Sequence, residues 1–387
     1  MLRDRIRPGR VALPLHRNMA VNVRAFQLHR LELPSGRRFG DCSCWCETLD
    51  IVALCLESNQ GHCGWGFGQT ISKGIFTRPA PYIVPMPSLA EMRADFERTV
   101  WPVLAGRSPF ALILHRPALF SAYTIVDQAI RMALWDLMAQ SVELPLYQFL
   151  GALSQNNRVR AYGSGLDFPL SEEDAVAQYR RFIDMGFTAI KVKVGAPDPK
   201  RDLRRLQAIR EAVGAQVEIA IDANEAWTCD EAIGRIRFFE KEGIRLSYVE
   251  DPLHRDDVEG MVRLNATIDI DVVGHDYHVD PRKLRLMVER KALSRLRVLP
   301  DIDFALACAD IATDFGVPLI FGNSPFELSV HAAIALPSVD RLEFSDLGWN
   351  LLPKSPIRFE NGYAIAPSQP GIGLDPDPEK LKQFSRP

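Results

Sequence analysis

Thr188-Ala-Ile-Lys-Val-Lys-Val194, Val217-Glu-Ile-Ala-Ile-Asp-Ala-Asn224, Leu246-Ser-Tyr-Val-Glu-Asp-Pro252 and Ile270-Asp-Val-Val-Gly-His-Asp276 are four short apolar runs that end in side chains able to bind a metal or move a proton. Lys193 and Asp222 are 29 residues apart, Asp222 and Glu250 are 28 apart, and Glu250 and His275 are 25 apart. One strand–loop–helix unit has about that length, so the stretch predicts successive βα units.

Helix signals fill the gaps. Ser171-Glu-Glu-Asp174 reads as a capping box ahead of a helix that Gly186 can stop, and Thr228-Cys-Asp-Glu231 opens another that Gly243 can stop. Asp198-Pro199 starts the helix between them, with Gly214 at its end. Strands alternating with helices imply a parallel sheet, and in a closed parallel barrel the chemistry gathers at the C-terminal strand ends. Lys193, Asp222 and Glu250 fall at such ends.

The 387 residues suit a barrel plus an accessory domain. Lys and Arg (46) nearly balance Asp and Glu (49), for a net charge of −3. That balance gives neither a nucleic-acid footprint nor an acidic tail. No apolar run reaches the ~18 residues a membrane span requires, so the chain reads as soluble. Arg3, Arg5, Arg7, Arg10 and Arg17, interrupted by Pro8 and Pro14 and with no apolar signal-peptide core, predict a disordered basic tail over residues 1–18, with Met19 as an alternative start. Of the seven cysteines, Cys42, Cys44, Cys46, Cys55 and Cys63 lie close together, near His62. Their CxCxC run lacks the CxxC knuckle of structural zinc, so reduced, non-liganding thiols are expected, and with them a cytoplasmic location.

Taken in order, residues 21–34 and 50–58 alternate as strands, Ser58-Asn-Gln-Gly61 is a turn, and Cys63-Gly-Trp-Gly-Phe-Gly68 follows; an antiparallel sheet is predicted. Residues 70–85 read as a loop that can close over a site. Ile125, Ala129, Met132, Ala133 and Leu137 give residues 121–140 the buried face of a helix. Pro145 to Gly151 closes the first domain and Val159 to Gly165 is the first barrel strand. Past Asp276, helices are expected at 281–291, 303–315 and 326–336, and strands at 295–299, 317–321 and 340–344. The Pro-rich tail from Asn350 is too irregular for another unit and is expected to return to the first domain. The predicted scheme is a basic tail (1–18), a capping domain (19–150), a barrel (151–349) and a returning segment (350–387).

With these pieces placed, the sequence resembles the enolase superfamily on its mandelate racemase and muconate lactonizing side. The resemblance runs from about residue 20 to the end and rests on Ile130-Arg-Met-Ala-Leu-Trp-Asp136, Leu144-Pro-Leu-Tyr147, Leu150-Gly151, Lys191-Val-Lys193, Asp222-Ala-Asn224 and Glu250-Asp-Pro252, in that order. It implies an α/β fold, a modified TIM barrel (β/α)7β carrying an α+β capping domain. It also implies a divalent metal, ordinarily Mg²⁺, and removal of the proton α to a carboxylate. Lys193 would be the base, with Lys191 beside it, and Asp222 and Glu250 would be metal ligands. Asn224 and Glu343 match positions that orient substrate or hydrogen-bond its carboxylate. Specificity would come from capping-domain loops around 36–48 and 66–82. A small-molecule carboxylate substrate and a homo-oligomer are implied by the resemblance alone.

The residue types suit that chemistry. Losing an α-proton beside a carboxylate puts a second negative charge on the same oxygens, which a metal can absorb as a Lewis acid. A lysine base must fall from its reference pKa near 10.4 toward ~7–8, roughly 4 kcal/mol of differential interaction, supplied by burial and like charge. Lys191 and Lys193 lie two apart on a strand and so point the same way.

Three departures from the family pattern shape the functional reading. Where a third Glu or Asp ligand is usual, this chain has Gly274-His-Asp276, so either His275 or Asp276 is the candidate, and imidazole would tilt the site from Mg²⁺ toward Mn²⁺, Fe²⁺ or Zn²⁺. Where a His–Asp dyad occurs, alignment on neighbouring motifs places Asn323 and Arg295, neither of which can take a proton at neutral pH. Where a second lysine occurs at the sixth strand, the position falls at or near Val298. Asp301, Asp303 and His254 are polar residues near strand ends that could serve as an acid, and His331 is expected to be structural in a helix. A one-base sugar-acid dehydratase follows as the leading expectation. An epimerase or cycloisomerase, and a binding member without turnover, are the alternatives.

Overall fold

The computed structural model describes residues 21–71, 73–77, 85–115, 117–152, 156–275, 279–299, 301–322 and 326–387. The predicted basic tail and Met19 lie outside them. Strand β1 (Val23–Gly40) pairs antiparallel with β2 (Cys44–Ser58), and β2 with both β3 (Cys63–Thr70) and β4 (Ile75–Phe76). Residues 36–48, expected as a loop, are mostly strand: the ribbon carries an irregularity between Pro34 and Phe39 and turns at residues 41–43. Backbone pairing to a partner strand outweighs the local Gly and Arg composition there.

Alternation explains how the sheet is used on both faces. Val52, Leu54 and Leu56 join one core, and Leu49, Ile51 and Ala53 the other. The first core is closed by α1 (Leu89–Asp95), α2 (Trp101–Leu104), α3 (Pro109–Leu114) and α4 (Thr124–Ser141); α5 (Leu146–Phe149) follows. In β3, a Cβ added at Gly66 would stand 1.8 Å from the Ala129 carbonyl oxygen, and one at Gly68 1.8 Å from that of Ile125. Glycine is what lets this strand lie directly on α4. All seven cysteines are free thiols.

The chain then alternates strand and helix. Strand β5 (Arg158–Ser164) precedes α6 (Glu172–Asp184), and β6 (Ala189–Lys193) precedes α7 (Pro199–Val213). Next come β7 (Glu218–Asp222), α8 (Cys229–Lys241), β8 (Tyr248–Glu250) and α9 (Val258–Asn265). The last units are β9 (Asp271–Gly274), α10 (Pro281–Glu289), β10 (Arg295–Val298), α11 (Ile302–Phe315), β11 (Leu319–Phe321), α12 (Phe326–Ala335) and β12 (Val339–Phe344). Each strand from β5 to β12 is parallel to its neighbour, and β12 pairs back onto β5, closing the barrel. Seven helices for eight strands make it (β/α)7β.

The stop and start signals act as chemistry predicts. Thr228 and Glu231 form a reciprocal capping box, Asp198 caps α7, and Gly186, Gly214 and Gly243 take φ of 87°, 88° and 84°. Ser171 caps α6, but its box is incomplete: the shorter Asp174 accepts from the Ser171 hydroxyl at 2.7 Å rather than from its backbone.

The tail holds more regular structure than its composition suggests. Strands β13 (Arg358–Glu360) and β14 (Tyr363–Ile365) form a hairpin about Asn361-Gly362, whose φ of 50° and 79° are the left-handed pair that a two-residue turn demands. Asn-Gly between alternating residues was the sequence signal for it. Strand β14 extends the barrel sheet antiparallel to β5. Helix α13 (Pro378–Phe384) then packs against β1, where Arg386 N donates to Arg30 O at 2.8 Å. Among the described residues no helix is long and apolar enough to cross a membrane.

Candidate active site

In the parallel ladders Lys193 is level with Asp222, and Asp222 with Glu250, so three strand ends present one row of side chains. Earlier on the same strands, Ala220 and Tyr248, two residues before Asp222 and Glu250, and Ala189, four before Lys193, join Tyr162, Val273 and Ile320 in an apolar plug. The polar row thus sits on a packed barrel floor.

Three cations and three carboxylates fill that row and the strands facing it. Lys193 Nζ lies 2.5 Å from Asp222 Oδ2 and 2.9 Å from Asn224 Oδ1. Lys191 Nζ hydrogen-bonds Glu250 Oε1 and lies 3.1 Å from Glu343 Oε1 and 3.3 Å from Asp222 Oδ2. Arg297 Nε is 3.1 Å from Glu250 Oε1 and its Nη2 is 2.5 Å from Glu343 Oε2. All six residues are buried, none more than 6% exposed.

Burial alone favours the neutral form of each group, but the pairings decide the outcome. Burial is the largest influence on Lys193 and lowers its pKa, as does Lys191, yet Asp222, Asp41 and Glu250 together raise it by more, and the net direction is upward. Lys191 is raised further: burial is outweighed by Glu250, Glu343 and Asp222. The expected fall of Lys193 toward neutrality is therefore not a property of this arrangement, because the carboxylates outweigh the neighbouring lysine. Asp222 and Glu343 are held below the usual carboxylate range against burial, Asp222 by Lys193 and Lys191, Glu343 by Lys191 and Arg297. Glu250 is pushed up by burial.

Asn224, Glu225 and Asp251 take left-handed backbone, with φ of 45°, 61° and 42°, just past the ends of β7 and β8. Such conformations are unfavourable for non-glycine residues and concentrate at functional sites. The bend lets Asn224 N donate to Asp222 Oδ1 at 3.0 Å while its side chain meets Lys193. From the capping sheet, the turn after β1 reaches the same rim: Gly40 N donates to Leu166 O at 2.8 Å, and Cys42 Sγ lies 3.4 Å from Ala223 O.

Lys191, Lys193, Asp222, Glu250, Asn224 and Glu343 thus share one cluster. His275 follows β9 directly; its Nδ1 is 2.8 Å from Asp251 Oδ1 and 3.8 Å from Glu225 Oε1. Asp276 and Asn323 lie outside the described residues. Arg295 is placed elsewhere: it opens β10 at the opposite rim and pairs with Asp271 (2.6 Å) and Asp340 (2.9 Å). The side chain that enters the cluster is Arg297, which the sequence reading missed. Arg295 and Arg297 share one face of β10, and 297 is the one nearer the C-terminal end, where the cluster lies. His254 is a surface residue 3.7 Å from Asp256, Asp301 caps α11 through Phe304 N, and Asp303 is 3.5 Å from Arg131. His331 lies in α12, where Nδ1 accepts from Tyr147 N (3.3 Å) and Nε2 is 3.0 Å from Ile372 O.

Does this donor set suit a divalent metal? No three His, Cys, Asp or Glu side chains among the described residues are gathered as a ready-made cage. The oxygens of Asp222 and Glu250 are engaged by ammonium groups. Glu250 Oε2, Asp251 Oδ1 and His275 Nε2 are among the buried atoms without a hydrogen-bond partner. The carboxylates of Asp222 and Glu250 at neighbouring strand ends are the hard oxygen donors that a divalent ion takes, once the lysines yield.

A closed (β/α)7β barrel under an antiparallel sheet, with a Lys-x-Lys strand feeding an Asp and a Glu at the next two strand ends, defines the enolase-superfamily class. Residues 174–380 match the family model described as enolase C-terminal domain-like, and the chain belongs to that family. It is 31% identical over 348 residues to an arabinonate dehydratase of Saccharolobus solfataricus, covering 84% of this chain and 88% of that one. A mandelate racemase-like structure from Mesorhizobium loti superposes with a TM-score of 0.86 at 34% identity, over 94% of this chain and 95% of the other. An L-talarate dehydratase of Polaromonas, complexed with Mg and L-glucarate, shares the fold at 23% identity and TM-score 0.76, over 95% and 98% of the two chains. Other relatives are epimerases and cycloisomerases.

Proposed function

We propose that this chain removes the proton α to the carboxylate of a sugar acid in a divalent-metal-dependent reaction, and that the product is the dehydrated acid. The row Lys193–Asp222–Glu250 carries the reading, because it sets an amine beside the two carboxylates that would hold the ion. Mg²⁺, the ion in the Polaromonas relative, is the first candidate. Asp222, Glu250 and His275 would hold the metal, which when bound draws off negative charge from the substrate's carboxylate oxygens.

The rest belongs to the protein. Lys193 acts as base once Asp222 is withdrawn from its ammonium group, since among the carboxylates that raise its pKa Asp222 does the most. Lys191 and Asn224, flanking the base, orient the substrate carboxylate. The ammonium formed on Lys193 returns its proton to a β-hydroxyl leaving from the same face as water, so one base serves both ends of the elimination.

Likeness to the arabinonate dehydratase favours dehydration, while the epimerase and cycloisomerase relatives keep isomerisation as the second reading. The test is α-proton exchange in deuterated water over a panel of sugar acids, with metal content measured on the same protein. Exchange with loss of water in wild type, abolished in Lys193→Ala, is expected. Exchange without water loss would turn the reading to the isomerase, and no exchange on any acid would sink both.

A further inference from the structure

We propose that Asp167 is a positioning residue for the base: its carboxylate, carried on the strap that follows β5, takes the backbone amide of Lys193 and so sets where that side chain stands at the barrel mouth. The proposal rests on the reading of Lys193 as the base.

Pairing between β5 and β6 stops at Ser164 and Lys191, two residues short of Lys193. Beyond that point a side chain takes over from the strand, because Lys193 N donates to Asp167 Oδ1 at 3.0 Å. Asp167 is fully buried, and two more donors converge on its carboxylate. The Tyr179 hydroxyl lies 2.7 Å from Oδ1, and Arg205 Nη1 is 3.1 Å from Oδ2 and 2.5 Å from the Asp167 carbonyl. A carboxylate accepts on both oxygens, whereas an amide would turn its NH2 against one of these donors. Tyr179 is also 2.7 Å from Lys191 O, so the same group of side chains grips β6 on both sides of Val192.

The strap is itself held from several sides. Leu166 takes a left-handed φ of 46°, unfavourable for a bulky residue. From the capping ribbon, Arg37 Nη2 donates to Gly165 O at 2.9 Å and Gly40 N to Leu166 O at 2.8 Å. From α6, Gln178 Nε2 donates to Gly165 O at 2.8 Å, and from α7, Arg205 Nη2 donates to Leu170 O at 2.5 Å. A Cβ at Gly165 would stand 2.3 Å from the Tyr179 hydroxyl oxygen and 2.9 Å from Asp167 Oδ1, so glycine is what lets those two meet. Supporting contacts of this kind keep a reacting group in its productive geometry, and a displacement of about 1 Å can cost ~10²-fold in rate.

The test uses the full-length protein with added Mg²⁺ and follows α-proton exchange in deuterated water on the sugar acid that wild type exchanges fastest. In Asp167→Ala the rate at saturation should fall about 10²-fold while the half-saturating concentration holds, because the base is displaced and the substrate contacts are not. NMR of that variant, labelled with ¹⁵N, should show the Lys193 amide losing its hydrogen-exchange protection. Asp167→Asn keeps one oxygen for Lys193 N but turns its NH2 on Arg205, and should lose about tenfold. It carries the test if the alanine variant does not fold. Arg201→Ala, which releases the same strap at the Phe168 carbonyl (2.6 Å from Nη2), should leave the rate unchanged. A saturating rate unchanged in Asp167→Asn, or an equal fall in Arg201→Ala, would overturn the proposal while leaving the proton-transfer reading standing. No exchange by wild type on any acid would overturn both.

Discussion

Lys193 and Asp222 are level across the β6–β7 ladder, with Nζ 2.5 Å from Oδ2 and both side chains buried. The residue best placed to accept a proton is therefore held in its protonated form by the residue best placed to bind a metal. Lys191 makes the same kind of contact with three carboxylates rather than one.

That asymmetry separates the two lysines in stability. Lys191→Met would leave Glu250, Glu343 and Asp222 short of their shared cation, and a loss of roughly 3–5 kcal/mol is expected. Lys193→Met should cost less, on the order of 1–3 kcal/mol, since Asp222 keeps Lys191. Urea unfolding of both variants gives the comparison; a larger loss in Lys193→Met would contradict it.

Two arginines on one strand should behave oppositely. Arg297→Met strips a buried cation from Glu250 and Glu343, so about 3–5 kcal/mol should be lost. Arg295→Met breaks partly exposed pairs at the other rim and should cost no more than about 1 kcal/mol. Equal midpoints for the two variants would show that Arg297 is not carrying the charge balance.

Glycines offer a packing test. Gly66→Ala puts a methyl 1.8 Å from the Ala129 carbonyl and should cost several kcal/mol or prevent folding of the sheet on α4. Gly234→Ala, in α8 with nothing within 4 Å of the added carbon, should stabilise by roughly 0.5–1 kcal/mol. Thermal midpoints moving in the same direction would count against this packing.

His331 predicts an acid limb. Burial pushes its pKa down to about 4 from 6.5, so below pH 6.5 the unfolded chain takes up a proton that the folded chain refuses. The stability it contributes is present above pH 6.5 and drains as pH falls toward 4, by roughly 3 kcal/mol at most. His331→Gln should lose less stability than wild type between pH 7.5 and 4.5, read as urea midpoints at the two values. Identical losses would remove His331 as the cause.

The sequence by itself determined the units of the barrel, because their signals are local: apolar runs of strand length, a cap three residues before each helix turn, a glycine where φ must be positive. It also located Lys191, Lys193, Asp222 and Glu250, since a residue at a strand end in a repeating unit has one place to go. The Asn361-Gly362 hairpin was equally legible and was overlooked. Only the tertiary structure decided that Arg297 rather than Arg295 enters the cluster, because the two share one face of β10 and differ in height along it, Arg295 at the N-terminal end and Arg297 near the C-terminal end. It alone showed that Asp251 faces His275, that residues 36–48 are a paired ribbon, and that Lys193 is raised rather than lowered in pKa. Those outcomes are sums over partners brought together from strands far apart in the chain, and no window of sequence contains the sum.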